Sequence, residues 1–182
     1  EEFDMLGVAF NARGRMADEY LAAIRELWTS DDPVFEGEFV SFKNVGFAPK
    51  PLQKRLPIWL GGDAEAVLKR VARFADGWSP FRTPPETFPQ CIELIKSQPT
   101  YDGRPLEIFF ALEMLNVGAH HEVLDDPRAP GTRSAQKIID QIGWLKELGV
   151  TESIVPLPPG ISGFSEYADR LRWVAEEIMP KV

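Results

Sequence analysis

From Pro57 onward, short apolar runs alternate with amphipathic segments, and this order limits the folds that the chain can adopt. A run that is apolar throughout predicts a strand buried on both faces, whereas apolar residues spaced three and four apart predict a helix. Successive strand–helix units are typical of a parallel sheet covered by helices, so the predicted fold class is α/β. The predicted strands are 57–60, 77–80, 106–117 and 152–157, and the predicted helices are 64–75, 85–97, 134–148 and 164–178.

The region before Pro57 is organised differently. Apolar residues at helical spacing predict a helix over 12–29, which has no strand of its own and is ended by an Asp-Asp-Pro sequence. Val34–Phe47 contains four phenylalanines among polar residues and glycines, which predicts short extended pieces over a sheet edge. A Pro-rich connector follows. We therefore predict a single domain over 1–182, with residues 34–56 as an insertion and connector.

Four strand–helix units are compatible with two parallel architectures. They could form a small doubly wound sheet or half of an eight-stranded barrel, and right-handed crossovers suit both. In either architecture, ligands bind at the carboxyl ends of the strands, where loops lead into helices. The candidate site is therefore expected in the loops that follow the predicted strands.

Composition and charge exclude several classes of function. The net charge of −8 argues against a nucleic-acid partner. No apolar run reaches the length of a membrane span and no secretion signal is recognisable, so a cytoplasmic protein with no membrane partner is expected. The one cysteine, Cys91, rules out a disulfide framework and is predicted to pack as a small hydrophobe. Because His120 and His121 are direct neighbours, they are unsuited to sharing one zinc ion, and no metal site is predicted.

A pair of glycines, Gly61 and Gly62, stands where the first predicted strand passes into a helix. Glycine accepts positive φ and exposes backbone N–H groups, and a helix that begins at once offers its free N–H groups and dipole to an anion. Asp63 is the expected N-cap of that helix, although its charge opposes an anion unless the carboxylate turns inward. The alternative is a plain turn, which the motif alone favours because it matches neither G-x-G-x-x-G nor a Walker loop.

The segment ADGWSPFRTPPE supplies a second candidate for the same edge. Gly77 is predicted to end the preceding helix in the left-handed conformation. Trp78 begins a very short strand, which places Ser79 at its carboxyl end. Ser79 and Arg82 then belong to a loop on the ligand side, from which they could reach the same anion.

Three stretches in this order, ARGRMADEYLAAIRELW, FEGEFVSFKNVGFAPKPLQKRLPIWLGG and ADGWSP, together resemble the bacterial-luciferase-like flavin and deazaflavin oxidoreductases. Within that superfamily, the chain is most similar to members that use coenzyme F420. The resemblance implies a (β/α)8 TIM barrel with the cofactor at its carboxyl-terminal mouth. It also implies that the backbone after PIWLGG, aided by the loop after DGW, holds the cofactor phosphate. Together with the adjacent aspartate, the predicted cofactor-binding residues are Gly61, Gly62, Asp63, Trp78 and Ser79.

The chain departs from that family in its number of units, since members carry eight strand–helix units and four are predicted here. It resembles the second half of the barrel, and the resemblance implies that the usual catalytic acid or base lies in the first half. No catalytic residue is therefore assigned. A half-barrel exposes two sheet edges, so we expect a homodimer or pairing with a missing N-terminal half.

Three functions are compatible with these features. The first is an F420-dependent oxidoreductase that transfers a hydride between the deazaflavin and a small organic substrate. The second is an FMN-dependent monooxygenase of the same fold, which differs in activating oxygen. The third is a non-catalytic half-barrel that assembles with itself or with a partner.

Overall fold

The computed structural model describes residues 2–81, 83–111, 135–154 and 163–182. Contacts between residues divide the chain into two compact units, Glu1–Ile58 and Trp59–Val182. Each unit is described by itself below. The single domain expected over the whole chain stays a prediction.

The first unit consists of helices followed by a small hairpin. Helix α1 spans Glu2–Met5, and after a short 3-10 turn helix α2 spans Arg13–Thr29, which confirms the predicted leading helix. Strands β1 (Phe35–Glu36) and β2 (Ser41–Phe42) pair antiparallel. The rings of the register partners in this hairpin, Phe35 and Phe42, stack at 5.8 Å. The extended pieces predicted in this region are therefore confirmed as a hairpin.

Glu19 on α2 anchors the tip of this hairpin. Its carboxylate accepts hydrogen bonds from the backbone N–H groups of Glu38, Phe39 and Val40 at 2.9, 2.7 and 2.6 Å. Partial burial raises the pKa of Glu19, but the three N–H donors and the nearby charge of Arg15 outweigh it and hold the pKa below its usual value. The anionic form of Glu19 is therefore the form that holds the hairpin.

The second unit is a parallel sheet with helices packed against it. The bounds are β3 Trp59–Gly61, α3 Glu65–Phe74, β4 Gly77–Ser79, α4 Phe88–Lys96, β5 Glu107–Ile108, α5 Ala135–Glu147 and α6 Phe164–Glu177. The strands β3, β4 and β5 lie side by side in that order and are parallel. A parallel bridge between Phe109 and Glu152 extends the same order to the segment after α5. The predicted α/β class is confirmed, and within the described residues the sheet is open.

One face of this sheet forms the core with α4. Trp78 and Phe110 are fully buried there, and both meet the ring of Phe88 edge-on, at 5.6 and 5.0 Å. Helix α3 buries its apolar side as predicted, with Leu68 and Val71 almost completely excluded from water. Burial of this aromatic and aliphatic surface is the main stabilising contribution in the unit.

Arg104 joins the end of α3 to the segment that leads into β5. Its guanidinium donates to the carbonyl oxygens of Val71 and Ala72 at 3.0 and 2.9 Å, and to that of Ala75 at 2.7 Å. A further bond of 2.6 Å reaches Asp102, while the Arg104 side chain is only 10% exposed. The Val71 carbonyl also accepts from the N–H of Ala75 at 3.0 Å, so Arg104 is its second donor. For the carbonyls of Ala72 and Ala75, at the end of the helix where intrahelical donors run out, Arg104 supplies a side-chain donor.

Several element bounds differ from the predictions. The first strand begins at Trp59 rather than Pro57, because proline has no N–H to offer to a ladder. The strand predicted over 106–117 is assigned only at Glu107–Ile108, since its neighbour β4 is three residues long; residues 112–117 lie outside the described part. The strand predicted over 152–157 is described only as the bridge at its first residue.

The apolar stripe of α6 is only partly buried. Ile178, just after the helix, is 1% exposed. Toward the other end, Phe164 is 85% exposed, Tyr167 40% and Leu171 47%. The apolar spacing that predicts the helix identifies a face that can be buried, and not the presence of a covering surface.

Candidate functional site

The predicted site residues of the first two strand–helix units meet at one edge of the sheet. Gly61 is the last residue of β3 and Ser79 the last of β4, and the two are register partners. The N–H of Gly62 donates to the Ser79 carbonyl at 3.4 Å. Since the strands are parallel, this edge is the carboxyl edge, where ligands of such sheets bind.

The two glycines have different reasons to be glycine. Gly62 has a φ of +110°, a conformation that side-chain-bearing residues rarely adopt. Gly61 has no such constraint, because an added Cβ would meet the Ser79 carbonyl oxygen at 3.5 Å, an ordinary contact. The fold therefore tolerates a side chain at Gly61, and its absence leaves an exposed backbone surface that a ligand can approach closely.

The amino end of α3 lies directly after this turn. The first donors to its ladder are Val67 and Leu68, whose N–H groups bond the Ala64 carbonyl at 2.7 and 3.1 Å. The N–H groups of Glu65 and Ala66 precede them and have no place in the helical ladder. Such groups, with the positive end of the helix dipole, suit a phosphate.

Asp63 does not cap α3, contrary to the prediction. The N-cap is Ala64, which makes no side-chain capping bond, because the helix begins one residue later than the sequence suggested. The Asp63 carboxylate instead accepts a hydrogen bond from the hydroxyl of Thr83 at 3.2 Å. Thr83 is 6% exposed and was not identified from the sequence. One sequence signal could have suggested Thr83: it is a polar residue in a loop that packs against the apolar core, where a hydroxyl needs a hydrogen-bond partner.

Trp78 contributes to the site through Gly62. Its side chain is fully buried, and its indole N–H donates to the Gly62 carbonyl at 2.7 Å. A buried indole needs an acceptor for its N–H, and here the acceptor is the turn itself. Trp78 therefore fixes the backbone of Gly62 from the core side of the sheet.

Gly77 lies within β4 and does not end α3 in a left-handed conformation, contrary to the prediction. Helix α3 ends at Phe74, and Ala75 at its carboxyl cap is extended. Glycine is required for a different reason: the indole of Trp59 lies over Gly77, and a Cβ there would collide with the ring. Trp59 in turn meets Phe109 edge-on at 6.4 Å. This aromatic pair lies on the half-buried face of the sheet that also carries Gly61.

The charges around the turn are partly neutralised. Glu65 forms an ion pair with Lys69 at 2.6 Å, and the hydrogen bond and charge of Lys69 lower the pKa of Glu65. On α4, burial raises the pKa of the Cys91 thiol; the Thr87 hydroxyl opposes this, and the charge of Asp63 adds to it.

Other predicted features fall elsewhere. Arg82, His120 and His121 lie outside the described residues. Within the described ranges, no cluster of three or more potential metal ligands occurs, and no helix has the length and apolar character needed to cross a membrane. A cavity of about 520 Å³ lies between α5 and the segment after it, lined by Leu145 and Val150 among others, and does not involve the glycine turn.

Comparison of sequences identifies relatives of this chain. The family model described as luciferase-like monooxygenase matches residues 1–151. An uncharacterized protein of Mycobacterium tuberculosis is 42% identical over 167 residues, which is 91% of this chain and 52% of that protein. The chain thus spans about half the length of this curated relative.

Comparison of structures finds solved proteins with a similar fold. The monooxygenase RslO1 from Streptomyces bottropensis superposes with a TM-score of 0.73 at 17% identity, covering 98% of this chain and 64% of that one. The coenzyme F420-dependent tetrahydromethanopterin reductase from Methanopyrus kandleri gives a TM-score of 0.60 at 17% identity, covering 98% of this chain and 70% of that one. At this identity the likeness concerns the fold. With the match over residues 1–151, it follows that the chain belongs to the luciferase-like monooxygenase family.

Proposed function

We propose that this chain is the cofactor-phosphate-binding half of an F420-dependent oxidoreductase with a (β/α)8 barrel. The reaction would be hydride transfer between the deazaflavin and a small organic substrate. The observation that carries the proposal is the open backbone of Gly61 beside Ser79, at the same edge as the amino end of α3. We expect this edge to receive the cofactor phosphate.

The residues at this edge would divide the binding between them. The N–H groups of Glu65 and Ala66 would donate to the phosphate, and the Ser79 hydroxyl would add a third donor. Gly61 permits the close approach, and Gly62 shapes the turn with its positive φ. When bound, the deazaflavin supplies the hydride chemistry, and the chain orients it through the phosphate. No catalytic residue is assigned among the described residues.

The sequence resemblance to members that use coenzyme F420 supports F420 over FMN. The charges next to the turn bear on affinity for either phosphate. Asp63 and Glu65 place two carboxylates there, and among the described residues Glu65 forms an ion pair with Lys69. Negative charge at this position opposes a bound phosphate.

An FMN-dependent monooxygenase is the second candidate. The matching family is described as a monooxygenase family, and oxygen activation is chemistry that a reduced flavin supplies. The same edge of the sheet would hold either phosphate. Preferential binding of FMN, with oxygen uptake that depends on a substrate, would favour this candidate.

Titration of the protein with F420 and with FMN tests the proposal. Gly61→Ala is the informative variant, because its Cβ fits the fold and yet occupies the space that a phosphate would use. We expect it to leave stability nearly unchanged and to weaken binding by about tenfold or more. Gly143→Ala is the matched control, since a Cβ there has nothing within 4 Å and lies on α5. If a full-length protein that includes the preceding half-barrel binds neither cofactor, the proposal is wrong.

We also propose that the sheet is completed by a second copy or by a preceding half-barrel. The exposed stripe of Phe164, Tyr167 and Leu171 on α6 supports this, because a helix rarely leaves such a face uncovered. Light scattering on the 182-residue chain tests it. A stable dimer that binds a cofactor supports self-completion, and a stable dimer that binds none favours the non-catalytic assembly. A monomer excludes the second copy.

A further inference from the structure

The loops that follow β3 and β4 are tied together by three contacts around the candidate site. Gly62 donates to the Ser79 carbonyl, and Trp78 donates to the Gly62 carbonyl. Both contacts hold the backbone of Gly62, one residue before Asp63. The third, from the Thr83 hydroxyl to the Asp63 carboxylate, reaches the residues immediately before α3.

Thr83 is suited to hold this last contact. It is a buried polar residue at 6% exposure, and a buried hydroxyl is costly to leave without a partner. Its partner is an ionised carboxylate, which makes a stronger acceptor than a neutral group. The hydrogen bond from the buried Thr83 hydroxyl therefore holds the carboxylate of the exposed Asp63 toward the core.

The position of Asp63 also keeps its carboxylate from competing with an anion for the amino end of α3. A carboxylate directed at the amino end of α3 would occupy the N–H groups that an anion needs. Here the carboxylate accepts from the Thr83 hydroxyl at 3.2 Å, in the loop that leads into α4. This contact turns the carboxylate toward the Thr83 loop, which leaves the N–H groups of Glu65 and Ala66 to a ligand.

We propose that the Asp63–Thr83 pair is a latch that positions the first residues of α3 for binding a phosphate group. This inference rests on the proposed function. Thr83 contacts Asp63 and not the ligand, so it is a positioning residue. Because the latch acts only on the phosphate-facing turn, its effect is confined to ligands that carry a phosphate.

Riboflavin and riboflavin 5′-phosphate (FMN) test this, since they differ only in the phosphate. Thr83→Val removes the hydroxyl at nearly constant volume, and Thr83→Ser retains it. We expect Thr83→Val to weaken FMN binding by about five- to tenfold and to leave riboflavin binding within about twofold. Thr83→Ser is expected to bind FMN like the wild type. Equal weakening of both ligands, or unchanged FMN binding, would overturn the inference.

Thr87→Val is the matched control. It makes the same change at a hydroxyl that bonds the Pro84 carbonyl at 2.7 Å, outside the latch. We expect it to leave FMN binding at the wild-type level. A loss equal to that of Thr83→Val would show that any lost hydroxyl in this region is harmful, which contradicts a specific latch.

Hydrogen exchange in the free protein separates this inference from the proposed function. In Thr83→Val we expect exchange in a peptide covering 61–68 to rise about fivefold or more, while a peptide covering 69–75 stays unchanged. Unchanged exchange at 61–68 overturns the latch even if cofactors bind. A wild-type protein that includes the preceding half-barrel and binds neither FMN nor F420 overturns the proposed function and the phosphate role, while the exchange result still decides whether the pair orders the turn.

Discussion

The contact between Trp59 and Gly77 predicts a large effect of a small substitution. The two residues are register partners on adjacent strands, and the indole lies over the glycine. A Cβ at Gly77 would lie 2.6 Å from Cε2 of Trp59 and closer still to Cδ2 and Cε3. Since carbon atoms pack at about 3.5–4.0 Å, Gly77→Ala requires the ring to move by about 1 Å. The edge-on contact with Phe109 limits that movement, so we expect a loss of about 2 kcal/mol in the free energy of unfolding.

Removing the ring should reverse the sign of this effect. In a Trp59→Ala background, Gly77→Ala adds a methyl group without a collision and restricts the unfolded chain. We expect a gain of about 0.5 kcal/mol there, because alanine loses less backbone entropy on folding than glycine. The two backgrounds should therefore differ by about 2.5 kcal/mol, which is the coupling energy of the pair.

Urea unfolding of the four variants measures this coupling. Far-ultraviolet circular dichroism is the suitable signal, because it does not depend on the tryptophan that is removed. Similar dependence on urea concentration across the variants would show that the compactness of the unfolded state is unchanged. If Gly77→Ala costs the same in both backgrounds, the indole is not the reason for the glycine and the explanation is refuted.

Three further predictions follow from single contacts. Arg104→Met should lower the free energy of unfolding by about 2–4 kcal/mol, because the buried carbonyls of Ala72 and Ala75 lose the guanidinium donor. Arg172→Met, at a side chain 62% exposed, should change it by less than about 0.5 kcal/mol in the same urea assay. The Glu19 carboxylate has a lowered pKa in the folded state, so its contribution to stability is present above the usual glutamate pKa and is lost as the pH falls through the lower folded pKa. The urea midpoint of the wild type should therefore exceed that of Glu19→Gln at neutral pH, and the difference should disappear over that acidic range. A difference that grows on acidification contradicts this prediction. Asp63→Asn keeps an acceptor for the Thr83 hydroxyl and removes a negative charge. Fluorescence titration should therefore show that FMN affinity rises about two- to fivefold. An unchanged affinity would mean that the charge of Asp63 does not affect phosphate binding.

Much of the order of helices and strands could be predicted because it depends on residues that are close together in the sequence. Helices such as Arg13–Thr29 and Ala135–Glu147 agree with the predicted ranges within about two residues, since amphipathic periodicity and helix-ending residues act over a single turn. The parallel direction of β3, β4 and β5 was likewise expected from alternating strands and helices, whereas their neighbour order was left open between two architectures. The placement of Gly61 and Ser79 at the carboxyl edge follows from the parallel direction.

The details of the site depend on contacts between residues distant in sequence. Asp63 was expected to cap a helix beside it, but its partner is Thr83, which lies twenty residues away. Gly77 was expected to serve the preceding helix, but the indole of Trp59 requires it. Local propensity contains no information about either neighbour. The stripe on α6 shows the same limit, because a pattern identifies an apolar face without identifying what covers it.

The anchoring of the hairpin by Glu19 has a consequence for how the hairpin tolerates mutation. Glu19 bonds only main-chain N–H groups of residues 38–40, so the attachment does not depend on which side chains those residues carry. Position 37 differs, because a Cβ there would press on the Glu19 carboxylate. The side chains of Glu38 and Phe39 add contacts with Arg15, an ion pair at 2.5 Å and a ring centre 5.3 Å from the guanidinium. Substitutions at 38–40 therefore change the surface chemistry of the tip, and at 38 and 39 the contacts with Arg15, while the main-chain anchor is kept.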